Sequence, residues 1–75
     1  MNYNIKYILQ QRTDKGLVNA FYANAKGKDS ILMGEYDKAM RFNTIGDAMR
    51  ESARLSKENN GLYFQAVEIC DTSKN

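Results

Sequence analysis

Apolar and polar residues alternate with a period of two along the first third of the chain. The alternating apolar positions are Tyr3, Ile5, Tyr7 and Leu9. A turn signal, Thr-Asp-Lys-Gly at 13–16, separates this run from a second alternating run at 17–25. Two alternating runs joined by a short turn predict a β-hairpin. Both faces of the hairpin carry tyrosines or aliphatic side chains, so the pattern leaves open which face is buried.

A third strand and an ambiguous stretch follow the hairpin. Lys-Gly-Lys-Asp at 26–29 predicts another turn, and the apolar run 31–33, which ends near Gly34, predicts a short strand. The stretch 36–42 fits either an extended segment or one helical turn, and the sequence leaves both interpretations open.

The period changes to that of an α-helix at about 45–59. Thr44 is placed to accept a hydrogen bond from the amide of Asp47, which marks the start of the helix. Asn-Asn-Gly at 59–61 predicts its end, and the strand-like run 62–69 comes directly afterwards. Because that run begins with apolar residues on both faces, we predict a central position for it in the sheet.

These elements predict a single α+β domain over residues 1–75. The expected architecture is an antiparallel sheet of three or four strands with one helix packed on one face, in the order ββ(β)αβ. A chain of 75 residues is close to the size at which one core just offsets the entropy of folding, so each apolar face is needed.

The composition excludes most routes to catalysis. The chain has no histidine, and so lacks the commonest general base and the usual imidazole ligand. One cysteine, Cys70, excludes an internal disulfide and a thiolate metal cage. Glu35 and Asp37 are too few oxygen ligands for a calcium or magnesium site. We therefore predict a protein that is not an enzyme, with no catalytic residue, no metal and no cofactor.

The sequence also bears on location. No apolar run approaches the roughly 20 residues that span a bilayer, and the N-terminal stretch lacks the apolar block of a signal peptide. A single cysteine is typical of a reducing compartment. We expect no membrane association, a mature chain that begins at Met1, and a cytoplasmic location.

The remaining candidate for function is the sheet surface. One helix covers one face of a sheet, so the other face is solvated, paired with a second copy, or offered to a partner. Tyrosine suits a half-exposed interface, and the basic excess lies in residues 1–42, with seven basic against four acidic side chains. The expected partner-binding residues are Tyr3, Tyr7, Arg12, Lys15, Tyr22, Lys26, Lys28 and Tyr36. Tyrosines that complete a small core, and turn charges that only interact with solvent, are the alternative interpretation.

Two resemblances bear on the partner. The pattern Ala39-x-x-Phe42-x-Thr44-x-x-x-Ala48 resembles the strand-to-helix junction of the arm-type DNA-binding domains of phage integrases. That resemblance implies a small DNA- or RNA-binding sheet, although this chain adds a final strand and has no tryptophan. The whole-chain plan is similar to small phage-encoded inhibitors of host defence, including some anti-CRISPR proteins.

The second resemblance implies a non-catalytic protein-interaction module that binds and blocks a host protein or ribonucleoprotein complex, in the host cytoplasm. This is the leading hypothesis from the sequence. The nucleic-acid-binding sheet is its alternative, and a homodimer that covers the free sheet face is a third hypothesis.

Overall fold

The computed structural model describes residues 4–25 and 31–71, which form a four-stranded sheet and one α-helix. The strands are β1 (Asn4–Thr13), β2 (Gly16–Ala25), β3 (Ile31–Gly34) and β4 (Tyr63–Asp71), and the helix α1 spans Ile45–Glu58. The strand order is β3-β2-β1-β4, with each neighbouring pair antiparallel. The predicted α+β class and element order are confirmed. The turn predicted at 26–29 lies outside the described residues.

The ends of α1 are set by the residues that the sequence indicated. The amide of Asp47 donates to Thr44 Oγ1 over 3.1 Å, which satisfies one of the unpaired donors of the first turn. At the other end, the backbone amide of Asn59 donates to the Leu55 carbonyl over 2.9 Å. Gly61 then adopts a φ of 93°, a conformation that glycine tolerates, and the chain turns into β4.

β4 lies at the edge of the sheet and β1 lies inside it, so the central position predicted for the last strand is wrong. The apolar residues of β4 are nevertheless covered on both faces. Phe64 packs under α1, whereas Ile69 packs with Ile8 on the opposite face. Burial on two faces can therefore occur in an edge strand when separate elements cover each face.

The main core lies between α1 and the sheet. Its buried residues are Leu9, Tyr22, Phe42, Ala48, Leu55 and Phe64. Ala48 and Leu55 are the buried residues of α1. The helical period predicts a broader stripe facing the sheet, with Ile45 and Met49 as large buried side chains, but both are exposed, so that part of the prediction is wrong. The sequence could not show which face of the hairpin packs against the helix. It is the face that carries Leu9 and Tyr22.

A short extended segment lies between β1 and β2 where these strands diverge. Tyr7 exchanges two backbone hydrogen bonds with Phe42, at 3.0 and 2.8 Å, and the amide of Met40 donates to the Tyr22 carbonyl over 2.9 Å. The preceding residues Tyr36–Lys38 form one 3-10 turn. The ambiguous stretch 36–42 therefore contains both conformations, first the turn and then the extended segment.

The sheet face opposite α1 is partly covered. A second cluster of buried residues, Ile8, Phe21, Ala39 and Ile69, lies on this face. The Tyr36 ring adds an edge contact to Phe21, with ring centroids 5.8 Å apart. The expectation of a fully open face is therefore wrong at this end of the sheet. The uncovered part is the other end, where β1 and β2 meet in their hairpin.

Candidate functional site

Three side chains form a row across the uncovered end of the sheet. Arg12 on β1 lies opposite Leu17 on β2 and opposite Tyr63 on β4, and cross-strand partners project from the same face. Leu17 is 46% exposed and Tyr63 is 55% exposed, although both are large and apolar in part. Lys15 is exposed in the adjoining turn. We call Arg12, Lys15, Leu17 and Tyr63 the hairpin patch.

The turn and an irregularity in the strand pairing position this patch. Thr13 Oγ1 donates to the Gly16 carbonyl over 3.0 Å and accepts from the amide of Lys15 over 3.2 Å, and Gly16 adopts a φ of 109°. The β1–β2 register shifts between Gln10 and Arg12. The Gln10 side-chain amide satisfies the Val18 carbonyl in this irregular region, over 3.0 Å. The shift brings Leu17 opposite Arg12.

The electrostatics of the patch leave positive charge available. The Arg12 guanidinium donates to the neutral amide oxygen of Gln65 over 3.0 Å. Neither Arg12 nor Lys15 forms an ion pair with any residue in the ranges that the structure describes. Beside them lies a shallow depression of about 470 Å³ lined by Arg12, Thr13, Asp14, Tyr63 and Phe64. The Arg12 guanidinium therefore lies between two exposed apolar side chains, Leu17 and Tyr63, with one carboxylate, Asp14, in the adjoining turn.

The residues predicted from the sequence to bind a partner lie in different parts of the fold. Arg12 and Lys15 lie together in the hairpin patch. Tyr36 is 47% exposed, but it lies at the covered end, where the Arg41 guanidinium sits 5.4 Å from its ring centroid. Tyr7 is half-buried against the main core. Tyr3, Lys26 and Lys28 lie outside the described residues.

Tyr22 belongs to the core and offers no ring to a partner. It is 1% exposed, and its hydroxyl donates to Glu51 Oε2 over 2.6 Å. Arg54 donates to both carboxylate oxygens of Glu51, at 3.0 and 2.7 Å. These contacts join β2 to α1, so the role of this tyrosine is to hold the helix on the sheet.

The same contacts determine the protonation states of Tyr22 and Glu51. Burial, reinforced by the Glu51 carboxylate, raises the pKa of Tyr22 to about 12. Hydrogen bonding from Arg54 lowers the pKa of Glu51 despite its partial burial. The tyrosine is therefore held protonated and the carboxylate ionised, a stable pairing that favours no proton transfer near neutral pH.

Sequence reasoning missed Leu17 and Tyr63. Leu17 follows the turn and Tyr63 begins β4, and each could be assigned to a strand from the pattern. Their proximity to Arg12 depends on the strand order and on the irregular register, neither of which a period of two reveals.

Neither a cluster of metal ligands nor a membrane-spanning helix occurs among the described residues. Within residues 4–25 and 31–71, no three histidine, cysteine or acidic side chains come together as metal ligands. No helix in these ranges has the length and apolar character needed to cross a membrane. Comparison of the chain with protein-family models, with curated proteins and with solved structures gave no match.

Proposed function

We propose that this chain is a non-catalytic protein-interaction module that binds an acidic protein surface through the hairpin patch. The row of Leu17, Arg12 and Tyr63 across three strands is the observation that carries this proposal. Tyrosine and arginine are enriched among the residues that dominate binding energy at protein interfaces. Here Arg12 and Tyr63 lie together at the uncovered end of the sheet.

The chemistry of the patch favours a carboxylate on the partner. The Arg12 guanidinium is oriented by an uncharged amide, so its charge is not neutralised within the patch. A partner carboxylate can accept two parallel hydrogen bonds from a guanidinium, and the flanking Leu17 and Tyr63 would exclude water from that pair. Lys15 at the rim would speed association more than it would strengthen the complex.

We further propose that the partner is a host protein or ribonucleoprotein complex, and that binding blocks it. Support comes from the similarity of the chain's plan to small phage-encoded inhibitors, anti-CRISPR proteins among them. A plasmid-interference assay in cells with an active CRISPR system tests this part. Expression of the chain should restore plasmid uptake, and unchanged interference would exclude inhibition of the CRISPR system used.

Affinity capture tests the binding surface. The wild-type chain and the variants Arg12→Glu and Leu17→Ala are each used as bait, and the captured protein is then titrated in purified form. Each variant should weaken binding by about 2 kcal/mol, or roughly 30-fold in affinity, as is typical when a residue that dominates binding is lost. Arg50→Glu is the matched control, because the Arg50 side chain is 76% exposed on the solvent side of α1.

The salt dependence of binding separates this function from a nucleic-acid sheet. Phosphate contacts make the logarithm of affinity fall steeply with the logarithm of salt concentration, because counterions are released. An interface centred on Arg12, Leu17 and Tyr63 should lose less than about tenfold between 50 and 200 mM salt. A steep loss, or equal binding by Arg12→Glu and the wild type, would contradict the proposal.

A further inference from the structure

The free edge of β4 is long and regular. β4 pairs with β1 through nine consecutive residues with no shift in register. Sheet edges are usually protected against further pairing by lysine, proline, a bulge or a short strand. β4 contains no basic residue and the chain contains no proline. No strand in residues 4–25 or 31–71 pairs with this edge, so its backbone groups are available to another strand.

The hydrogen bonds of β1 show which residues of β4 direct their backbone N–H and C=O groups toward the outer edge of the sheet. Tyr7 directs its N–H and C=O toward Phe42, away from β4. Successive residues of an antiparallel strand direct these groups to opposite sides. The odd-numbered residues of β4 from 65 to 69 therefore bond to β1, and the even-numbered residues from 64 to 70 present their groups at the edge. Ser52 Oγ occupies one of them, the Phe64 carbonyl, over 3.1 Å.

An apolar stripe on α1 runs beside this edge. Ile45, Met49 and Ala53 follow one another at intervals of one turn, and all three are exposed, Ile45 at 50% and Met49 at 58%. With Phe64 and Ala66 they line a groove of about 360 Å³. Edge and stripe together form one surface.

We propose that a second copy of the chain covers this surface. The two β4 strands pair antiparallel around a two-fold axis at Ala66, and the two sheets join into one of eight strands. The apolar stripes of the two α1 helices then face each other across the axis. Such an interface is self-complementary, as a two-fold dimer requires.

The charged side chains favour one position of the two-fold axis along β4. A two-fold axis at Glu68 would oppose two carboxylates, which is unfavourable. An axis at Ala66 places Glu68 of the second copy opposite Phe64, near the end of the groove where Lys57 continues the stripe one turn beyond Ala53. The long Lys57 side chain can reach that carboxylate, and symmetry repeats the ion pair.

The position of α1 matches this arrangement. The helix contacts β4 and β1, with Leu9 and Phe64 in one core cluster, so we place its axis above the space between these two strands. Neighbouring strands are about 4.8 Å apart, which puts the two helix axes about 10 Å apart across the two-fold axis. Packed helices lie about 8–10 Å apart. We therefore expect the two stripes to lie within packing distance of each other.

Sedimentation of the purified chain over a concentration series tests the dimer. We expect a reversible dimer, and Met49→Glu, which puts two carboxylates near the axis, should weaken it at least about tenfold. Arg50→Glu, one residue away and outside the stripe, should leave it unchanged. A wild-type chain that stays monomeric up to about 1 mM, or a Met49→Glu dimer of wild-type affinity, would overturn the proposal.

Charge reversal tests the ion pair and the register. Lys57→Glu and Glu68→Lys should each weaken the dimer, because each creates a like-charge pair, and the double variant should recover most of the lost affinity. Absence of recovery in the double variant would refute the axis at Ala66.

The distance between the two Cys70 residues of the dimer can be measured directly. Cys70 is exposed and unpaired, and spin labels can be attached to it without any substitution. An axis at Ala66 separates the two Cys70 positions by eight residues along the strands, or about 27 Å, whereas an axis at Val67 gives about 20 Å. A main distance near 27 Å supports the register, and the shorter one contradicts it.

The dimer and the proposed partner binding can fail independently. The hairpin patch faces away from α1, whereas the stripe lies on α1. Tyr63 borders both surfaces because it would lie opposite Ile69 of the second copy, and Phe64 lines both the depression beside Arg12 and the groove. Met49→Glu should abolish the dimer and keep partner capture, and Arg12→Glu should do the reverse.

Discussion

At the scale of single residues, protonation is fixed by local contacts. Tyr22 is buried, and its hydroxyl donates to an ionised Glu51 that Arg54 also binds. A tyrosinate at this place would be desolvated and would lie against a carboxylate. The structure therefore makes two residue-scale predictions with opposite pH dependence.

The first concerns alkaline pH. Because the pKa of Tyr22 is raised to about 12 from the usual value of about 10, folding favours its protonated form. The stability that this contributes is complete below about pH 10 and is lost as the pH rises through about 12. Subtracting the tyrosinate titration of Tyr22→Phe from that of the wild type should leave one transition near pH 12. A difference transition near pH 10 would contradict the assignment.

The second concerns acid. The pKa of Glu51 is lowered, so its contribution to stability is complete above the unfolded value of about 4.3 and is lost as the pH falls below it. Glu51→Gln should cost about 1 kcal/mol in free energy of unfolding at neutral pH, and less at pH 3. Urea unfolding at both values measures this. Glu35→Gln is the control, because Glu35 is exposed, and it should change the free energy of unfolding little at either pH. An equal loss of stability by Glu51→Gln at both pH values would contradict the assignment.

The tyrosines show how far sequence reasoning reaches at this scale. Alternation placed Tyr7 and Tyr22 on strands, yet both faces of the hairpin carried suitable residues, so burial could not be assigned. Tyr22 is in the core, whereas Tyr63, not chosen from the sequence, is 55% exposed beside Arg12. The choice between core and surface required the position of α1.

At the scale of elements, local signals predicted α1 well. Thr44 was identified as the residue that begins the helix, and its hydroxyl accepts from the amide of Asp47. Thr44→Ala should lower the free energy of unfolding by about 1 kcal/mol, because it leaves that amide without its partner. Thr44→Ser keeps the hydroxyl and should lose much less. Thermal or urea unfolding of both variants measures the difference, and equal losses would show that the hydrogen bond is not the cause.

Long-range pairing was less predictable than local structure. Apolar residues on both faces of β4 indicated a central strand, but Phe64 is covered by α1 and Ile69 by the cluster around Ile8. Likewise, nothing local indicated that the segment containing Met40 and Phe42 would lie between β1 and β2. Both features depend on which elements meet in the folded chain, and a periodic pattern does not contain that information.

At the scale of the whole molecule, coverage of the sheet decides where a partner can bind. α1 covers one face, and the 3-10 turn with Ala39 covers one end of the other. The hairpin patch is the uncovered remainder, and it combines an arginine that lacks an ion pair among the described residues with exposed Leu17 and Tyr63. The sequence predicts a partner site on strand edges, on the open sheet face and at the turns 12–16 and 26–29, and this stays a prediction; the composition of the hairpin patch follows from the fold.

Hydrogen exchange of the chain, alone and bound to its captured partner, shows whether the partner binds at the hairpin patch. Binding through the hairpin patch should slow exchange of exposed amides in residues 12–17 and at the start of β4, while the exchange of α1 amides stays unchanged. Protection confined to α1 or to the end of the sheet around Tyr36, with the 12–17 hairpin unaffected, would contradict the account.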